Sequence, residues 1–316
     1  MKAIVYTKFG PPDVLQLREV EKPVPKDNEI LIKVRAASAN AYDWRHLRAD
    51  PFLIRLMGAG LIKPKHKILG ADIAGQVEAV GGNVRQFQPG DEVFGDGGYG
   101  GFAEYVCVDE NRFVLKPANL AFEEAAAVPM AALTALQGLR DKGRIRAGQK
   151  VLINGASGGV GTFAVQIAKS FETEVTGVCS TAKMDLVRSI GADRVIDYTR
   201  EDVTKAKEQY DLIFDTAAFR SISNYKRILG PGGIYVLAGG SIARIFQLMF
   251  KSVTRAKNMR FLVAKISQKD LLFILELMKM GKVRSIIDKR YPLNETAEAL
   301  RYLEEGRARG KVVITV

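Results

Sequence analysis

The run VLINGASGGVGTFAVQIAK, residues 151–169, fits a chemical task by its composition and spacing. An apolar strand pattern leads into Gly155-Ala156-Ser157-Gly158-Gly159-Val160-Gly161, and a helical pattern follows. Glycines at such a junction allow a tight turn, close approach of backbone to a pyrophosphate, and close packing of helix on strand. The helix start adds free N–H groups and a partial positive charge. This context marks a dinucleotide fingerprint, although Ala156 stands where the first glycine of G-x-G-x-x-G would be. No Gly-Lys-Ser/Thr follows, which excludes a P-loop.

About 20 positions further on, the end of the second strand selects the dinucleotide. The sequence there is GVCSTAK, with Ser180, Thr181 and Lys183 and no acid to accept from the ribose hydroxyls of NAD. Hydroxyls and an ammonium suit the 2′-phosphate of NADPH, and Tyr198, ending VIDY, adds a hydroxyl at the same rim. The bland alternative is that Ser180 and Lys183 only cap the next helix. A second chemical question sits in ILGADIAG, residues 68–75, where Asp72 lies among glycine, alanine and branched aliphatics. A buried carboxylate is costly unless it is paired, hydrogen-bonded or bound to a metal.

The elements that position these residues follow from periodicity. Up to about residue 115, short strand signals such as EILIKVRAAS, ADIAGQVEAVG and EYVCVDE alternate with Gly, Pro and Asn, as in a compact β domain. Helical spacing begins around LAFEEAAAVPMAALTALQGL, with Glu123 and Glu124 at a helix start and Pro129 dividing two helical pieces. From Lys150 strands and helices alternate, which implies a parallel sheet with right-handed crossovers. The last segment carries the helical pattern KDLLFILELMKMG and a final strand, KVVITV.

Composition narrows the class. A 316-residue chain with 47% hydrophobic residues supports two domains with real cores. No stretch of about 18 uncharged apolar residues predicts a membrane span, and MKAIVYTKFG lacks a signal-peptide pattern. Two isolated cysteines, Cys107 and Cys179, suggest a reducing compartment, and a cytoplasmic location is expected. The formal charge of +12 favours anionic partners, although a basic surface with no dedicated partner explains it equally. Residues 242–265, IARIFQLMFKSVTRAKNMRFLVAK, concentrate cations and apolar groups and are a candidate for peripheral membrane contact. Nucleic acid is disfavoured because basic and aromatic residues do not interleave.

Taken together, SANAYDW, LGADIAGQVEAVGGNV, PGDEVFG, GFAEYV, EEAAAVPMAALTALQGL and NGASGGVG resemble, in identity and order, the medium-chain dehydrogenase/reductase superfamily. The similarity spans the whole chain and is greatest to its zinc-independent, quinone-oxidoreductase (zeta-crystallin-like) branch. It implies an α/β fold: a GroES-like, mostly β catalytic domain over 1–122, a Rossmann doubly wound NADP-binding domain over 123–263, and a return segment over 264–316 that completes the first domain. The resemblance also places the active site between the domains.

Zinc-dependent members carry Cys where this chain has Asn40, and Gly-His-Glu where it has Gly70-Ala71-Asp72; their third ligand, near Pro129, has no Cys, His or Glu in its place. The four-cysteine structural lobe is missing, and two Cys and two His cannot assemble either site. No metal is expected, and His46 and His66 read as ordinary polar residues. Asp72 then reads as a support, paired with Lys311 or held by backbone N–H groups.

Without a metal, quinones and α,β-unsaturated carbonyls are the expected substrates, because hydrogen bonds suffice to stabilise the oxyanion that forms. The resemblance implies Asn40 near the substrate oxygen, Tyr42 as a proton donor and Asp43 as a loop support. For the cofactor it implies contacts from Thr134, from Asp215-Thr216 and Ala238-Gly239-Gly240 at strand ends, from Phe261-Leu262-Val263, and from Lys311 at the pyrophosphate. Two departures matter: Ala41 replaces a common proline, and Arg45 stands where many relatives have tyrosine. No tyrosine precedes a lysine by four residues, which excludes the short-chain dehydrogenase mechanism.

The expected activity is an NADPH-dependent quinone or enone oxidoreductase. The alternatives are a 2-enoyl thioester reductase, or an NADPH-binding protein that uses its basic surface for membrane or RNA contact. A homodimer is expected from the resemblance alone.

Overall fold

A computed structural model describes residues 1–50, 52, 54–218, 220–239 and 258–316 of the chain. Gly240 and residues 242–257 of the basic apolar stretch lie outside the described residues. The chain divides into two units: Met1–Met130 with Ile266–Leu272 and Ser285–Val316, and Ala131–Lys265 with Phe273–Arg284. The first unit thus runs to Met130 rather than residue 122. The return segment is shared rather than wholly given to the first unit, since the helix Gln268–Lys279 straddles the division.

In chain order, the strands before the first crossing are β1 (Lys2–Val5), β2 (Gln16–Glu19), β3 (Glu29–Ala39), β4 (Asp72–Val80), β5 (Glu92–Asp96), β6 (Tyr105–Asp109) and β7 (Phe113–Leu115). The second unit contributes β8 (Lys150–Asn154), β9 (Glu174–Cys179), β10 (Arg194–Asp197), β11 (Tyr210–Asp215), β12 (Leu229–Leu237) and β13 (Met259–Phe261). The chain then returns with β14 (Ile287–Pro292) and β15 (Lys311–Thr315).

In the first unit the main sheet runs β14-β15-β3-β4-β5-β7, with β6 also paired to β3. Its centre, β3, is buried over most of its length, so its side chains pack on both faces. Gly75 on β4 is needed there, because a Cβ would lie 2.3 Å from the carbonyl oxygen of Lys33 on β3. The C-terminal strand β15 pairs antiparallel with β3 in the register Val312↔Ala39, which brings Lys311 to the end of β3 beside Asn40. On the other side of β3, Ser38 faces Asp72, and Asp72 in turn faces Asp96.

The second unit is a six-stranded parallel sheet, β10-β9-β8-β11-β12-β13. Its inner strands are continuous apolar runs, as expected of parallel strands covered on both faces. The strands end in step: Asn154 faces Asp215 and Val178, Cys179 faces Asp197, and Leu237 faces Asp215 and Phe261.

Candidate active site

Six residues follow directly on those strand ends: Gly155, Ser180, Tyr198, Thr216, Ala238 and Leu262. Five of them are at least partly exposed, and Leu262 is buried. Carboxyl ends of parallel strands are where open α/β sheets bind ligands. The glycines of the loop serve two purposes. Gly155 sits at φ 81°, and a Cβ there would lie 2.5 Å from the Thr216 hydroxyl oxygen. Gly161 packs so closely that a Cβ would come within 2.0 Å of the Gly155 carbonyl oxygen.

Gly158, by contrast, has no neighbour nearer than 3.5 Å to a built Cβ, so the fold does not require a glycine there. It caps the helix Gly159–Ser170 without a side-chain cap, and the first N–H groups of a helix have no partner within it. Ala156 is fully buried against Gly177, and Ser157 is buried too, so neither offers its side chain to a ligand. Val160 and Thr134 are half-buried, Gly239 and Val263 are exposed, and Phe261 is partly buried.

Asp215 corrects the reading that it faces a cofactor. It is fully buried, and both of its carboxylate oxygens are engaged by neighbouring protein groups. Asn154 Nδ2 donates to Oδ1 at 2.7 Å, Tyr235 Oη to Oδ2 at 2.7 Å, and the N–H groups of Ala217 and Ala218 to Oδ1 at 3.1 and 2.8 Å. Those last bonds hold Ala218 at φ 56°, a left-handed conformation that alanine rarely adopts. The carboxylate therefore shapes the turn through Thr216, whose hydroxyl donates to Asn154 O at 2.8 Å above Gly155.

At the carboxyl ends of β9 and β10 the structure adds a residue that the sequence did not single out. Asp197 ends β10 beside Cys179 and accepts from the Thr181 hydroxyl, from Thr199 N at 2.9 Å and from Thr199 Oγ1 at 2.7 Å. The Thr181 hydroxyl and then the Thr199 groups hold the Asp197 carboxyl below its ordinary range. An acid is therefore present at these strand ends, supplied by the neighbouring strand, and strand order is the signal that would have revealed it. Next to it, Tyr198 remains 45% exposed and lines a cavity of about 260 Å³ with Asn154, Val178, Asp202, Arg220 and Tyr225.

In the first unit, SANAYDW forms the end of β3 and the helix Ala41–Arg48. Asp43 Oδ2 accepts from Asn40 N at 2.8 Å, the reciprocal half of a capping box, and Oδ1 accepts from Gly70 N at 3.0 Å. Asp43 thus ties the two motifs together as a support. Asn40 is also a support: its Nδ2 donates to Ser38 O at 3.1 Å and to Asp72 Oδ2 at 2.9 Å, and its Oδ1 accepts from Lys311 Nζ at 2.5 Å.

Asp72 is fully buried and held from three sides: by Asn40, by Met130 N at 2.9 Å on Oδ1, and by Lys311 Nζ at 3.4 Å on Oδ2. Both alternatives for Asp72, pairing and backbone support, are realised together. Lys311 is 2% exposed, with its ammonium directed into this cluster, which corrects the placement of that group at a pyrophosphate. Burial pushes Asp43 and Asp96 up to about 7, and pushes Asp72 upward against the pull of Lys311. The same burial pushes the Lys311 ammonium down, opposed by Asp72.

Tyr42 is half-buried and hydrogen-bonded to Tyr99, and burial pushes its phenol strongly upward, so it is protonated at neutral pH. His46 Nδ1 bonds to Tyr42 O at 2.8 Å, and its ring lies 3.8 Å from that of Tyr42. His66 stacks on Tyr99 at 3.9 Å and 8°. Burial lowers both imidazoles below their ordinary range. The two histidines therefore brace the tyrosine pair. Tyr99 and His66 also form a wall of a cavity of about 650 Å³ with Val5, Val20, Ile68 and Val106. Nothing in the local sequence around Tyr99 announced this role.

A GroES-like unit with a parallel-sheet unit carrying this loop defines a dehydrogenase/reductase. Residues 26–118 match the alcohol dehydrogenase GroES-like domain, and residues 190–314 match the zinc-binding dehydrogenase family. A 2-methylene-furan-3-one reductase from Solanum lycopersicum is 35% identical, over 99% of this chain and 79% of the relative. An NADPH-dependent alkenal/one oxidoreductase of Arabidopsis thaliana is 34% identical with the same coverage. The solved quinone oxidoreductase of Coxiella burnetii superposes with a TM-score of 0.89 at 30% identity, covering 100% of this chain and 99% of that one. The chain belongs to the medium-chain dehydrogenase/reductase superfamily.

Proposed function

We propose that this protein is an NADPH-dependent, zinc-independent oxidoreductase that reduces quinones or α,β-unsaturated carbonyl compounds. The observation that carries this reading is the Asn40–Lys311–Asp72 cluster. In the positions where zinc-dependent members carry ligands or their supporting acid, the chain has an amide and a carboxylate, and both are engaged by an ammonium. An amide, an alanine and a bound ammonium are a poor donor set for zinc, and the ammonium repels a second cation. Polarisation of an isolated carbonyl by a metal is then missing from the chemistry on offer. Conjugated acceptors need it least, since the charge that arrives spreads to an enolate or hydroquinone oxygen.

The dinucleotide fits the second unit. Gly155 and Gly161 shape the loop, Gly158 leaves open space, and the helix start supplies N–H donors for phosphate. Lys183, Ser180 and Tyr198 provide the 2′-phosphate rim, while the acceptor capacity of Asp197 is turned toward Thr181 and Thr199. When bound, the reduced nicotinamide supplies the hydride. Tyr42, protonated and braced by His46 and Tyr99, supplies the proton, and Asn40 and Asp43 hold its helix in place. The names of the relatives, an alkenal/one oxidoreductase and a quinone oxidoreductase among them, support the same substrate class.

The test is NADPH oxidation followed optically with a panel of quinones, enones and 2-enoyl thioesters. Turnover confined to thioesters would replace the substrate class, and binding of NADPH with no turnover on any of them would remove the catalytic reading. Lys183→Glu is expected to weaken NADPH about tenfold or more relative to NADH, since it places like charge at the 2′-phosphate. Equal loss of both would remove Lys183 from the phosphate rim.

A further inference from the structure

We propose that the turn around Leu61 and Ile62 docks this protein on an anionic lipid bilayer. Between Asp50 and Asp72 the sequence has no acidic residue but carries Arg55, Lys63, Lys65 and Lys67. Within the same stretch four large apolar side chains face solvent: Phe52 at 63% exposure, Leu56 at 62%, Leu61 at 59% and Ile62 at 86%. Scattered exposed apolar residues are ordinary, whereas four within eleven positions concentrate apolar surface in one short stretch.

The display of these residues is built into the loop. Gly60 at φ 106° turns the chain so tightly that a Cβ would lie 2.1 Å from Lys63 O, and Lys65 N closes the turn onto Ala59 O at 2.8 Å. Leu61 and Ile62 occupy the apex that this closure leaves outside. Arg55 braces the base: its guanidinium lies 4.8 Å from the Phe9 ring centre and 5.4 Å from that of Phe52, and it donates to Leu61 O at 3.4 Å.

Behind the apex Lys63, Lys65 and Lys67 are exposed and form no salt bridge among the described residues. An apolar tip with an unpaired cationic collar matches a bilayer interface, where acyl chains accept the tip and phosphate head groups meet the collar. RNA offers the charge without an apolar layer, so it leaves the tip unexplained. No described helix is long and apolar enough to cross a membrane, so the contact is one of lying on the surface.

The test is co-sedimentation of the 316-residue chain with vesicles of phosphatidylcholine and phosphatidylglycerol in equal parts. Pelleting with these vesicles, little with phosphatidylcholine alone, and release by salt are expected. Leu61→Asp with Ile62→Asp is expected to abolish pelleting while the thermal midpoint and NADPH binding stay unchanged. Replacing Lys63, Lys65 or Lys67 by Gln is expected to weaken binding about fivefold each. Failure of the parent chain to pellet overturns the proposal. So does pelleting of the double aspartate variant at the parent level, since attachment would then lie elsewhere on the basic surface. Equal retention on an RNA homopolymer, unaffected by the apolar substitutions, would identify a polyanion site and also overturn it.

Discussion

Two buried aspartates, one in each unit, are held in opposite ways. Asp72 lies in a charged cluster, with an ammonium, an amide and a backbone N–H around it and the carboxyl groups of Asp43 and Asp96 as electrostatic neighbours. Among the described residues, the Asp215 carboxylate accepts from neutral donors: an amide, a phenol and two backbone N–H groups. The first arrangement stores charge away from water and ties stability to protonation. The second is a satisfied hydrogen-bond network that fixes the shape of a turn. One unit thus pairs buried charges with one another, and the other uses a buried acid to present a loop.

The comparison is broken most directly at Lys311. Lys311→Met leaves Asp72 with Asp43 and Asp96 and no ammonium, and is expected to cost about 3–5 kcal/mol in urea unfolding. A loss near zero would mean that the ammonium is not what holds the cluster.

Protonation gives the next test. Asp43 has a folded pKa of about 7 against an ordinary 3.8, so the folded state holds this proton more firmly than the unfolded chain. Its contribution to stability is present in full below about pH 4 and is lost as pH rises through about 7. Asp43→Asn cannot ionise, so the stability of that variant relative to the parent is expected to climb by a few kcal/mol, roughly, across that window. Denaturation of both proteins at a series of pH values measures this, and a constant difference would contradict it.

The smallest effect is expected in the second unit. Asp215→Asn removes an acceptor but leaves a polar group of the same size, and is expected to cost about 1–3 kcal/mol while weakening NADPH binding through the turn at Thr216. Unchanged binding would separate Asp215 from the cofactor loop.

Much of the fold was legible because its signals are local. Apolar runs separated by glycine and helical spacing announced the parallel sheet, and the loop after β8 was read from consecutive residues. The helix Ala41–Arg48 was not anticipated, although Asn40 and Asp43 form a capping box three residues apart, the signal that could have revealed it. Tyr99 was missed because its partners, Tyr42 and His66, lie far from it in sequence. Asp215 was misread because position at a strand end shows which edge a residue occupies, not which way its donors point.

The sequence by itself determined the two kinds of architecture and the glycine-rich loop after β8, since each depends on residue type within a short window. It also raised Lys311 as the partner of Asp72 without being able to establish it. Only the tertiary structure decided that Lys311, 271 positions from Asn40 and 239 from Asp72, turns its ammonium inward to join them. The physical reason is strand pairing: β15 lies antiparallel beside β3, and that register places a cation from the end of the chain among the acids near its beginning.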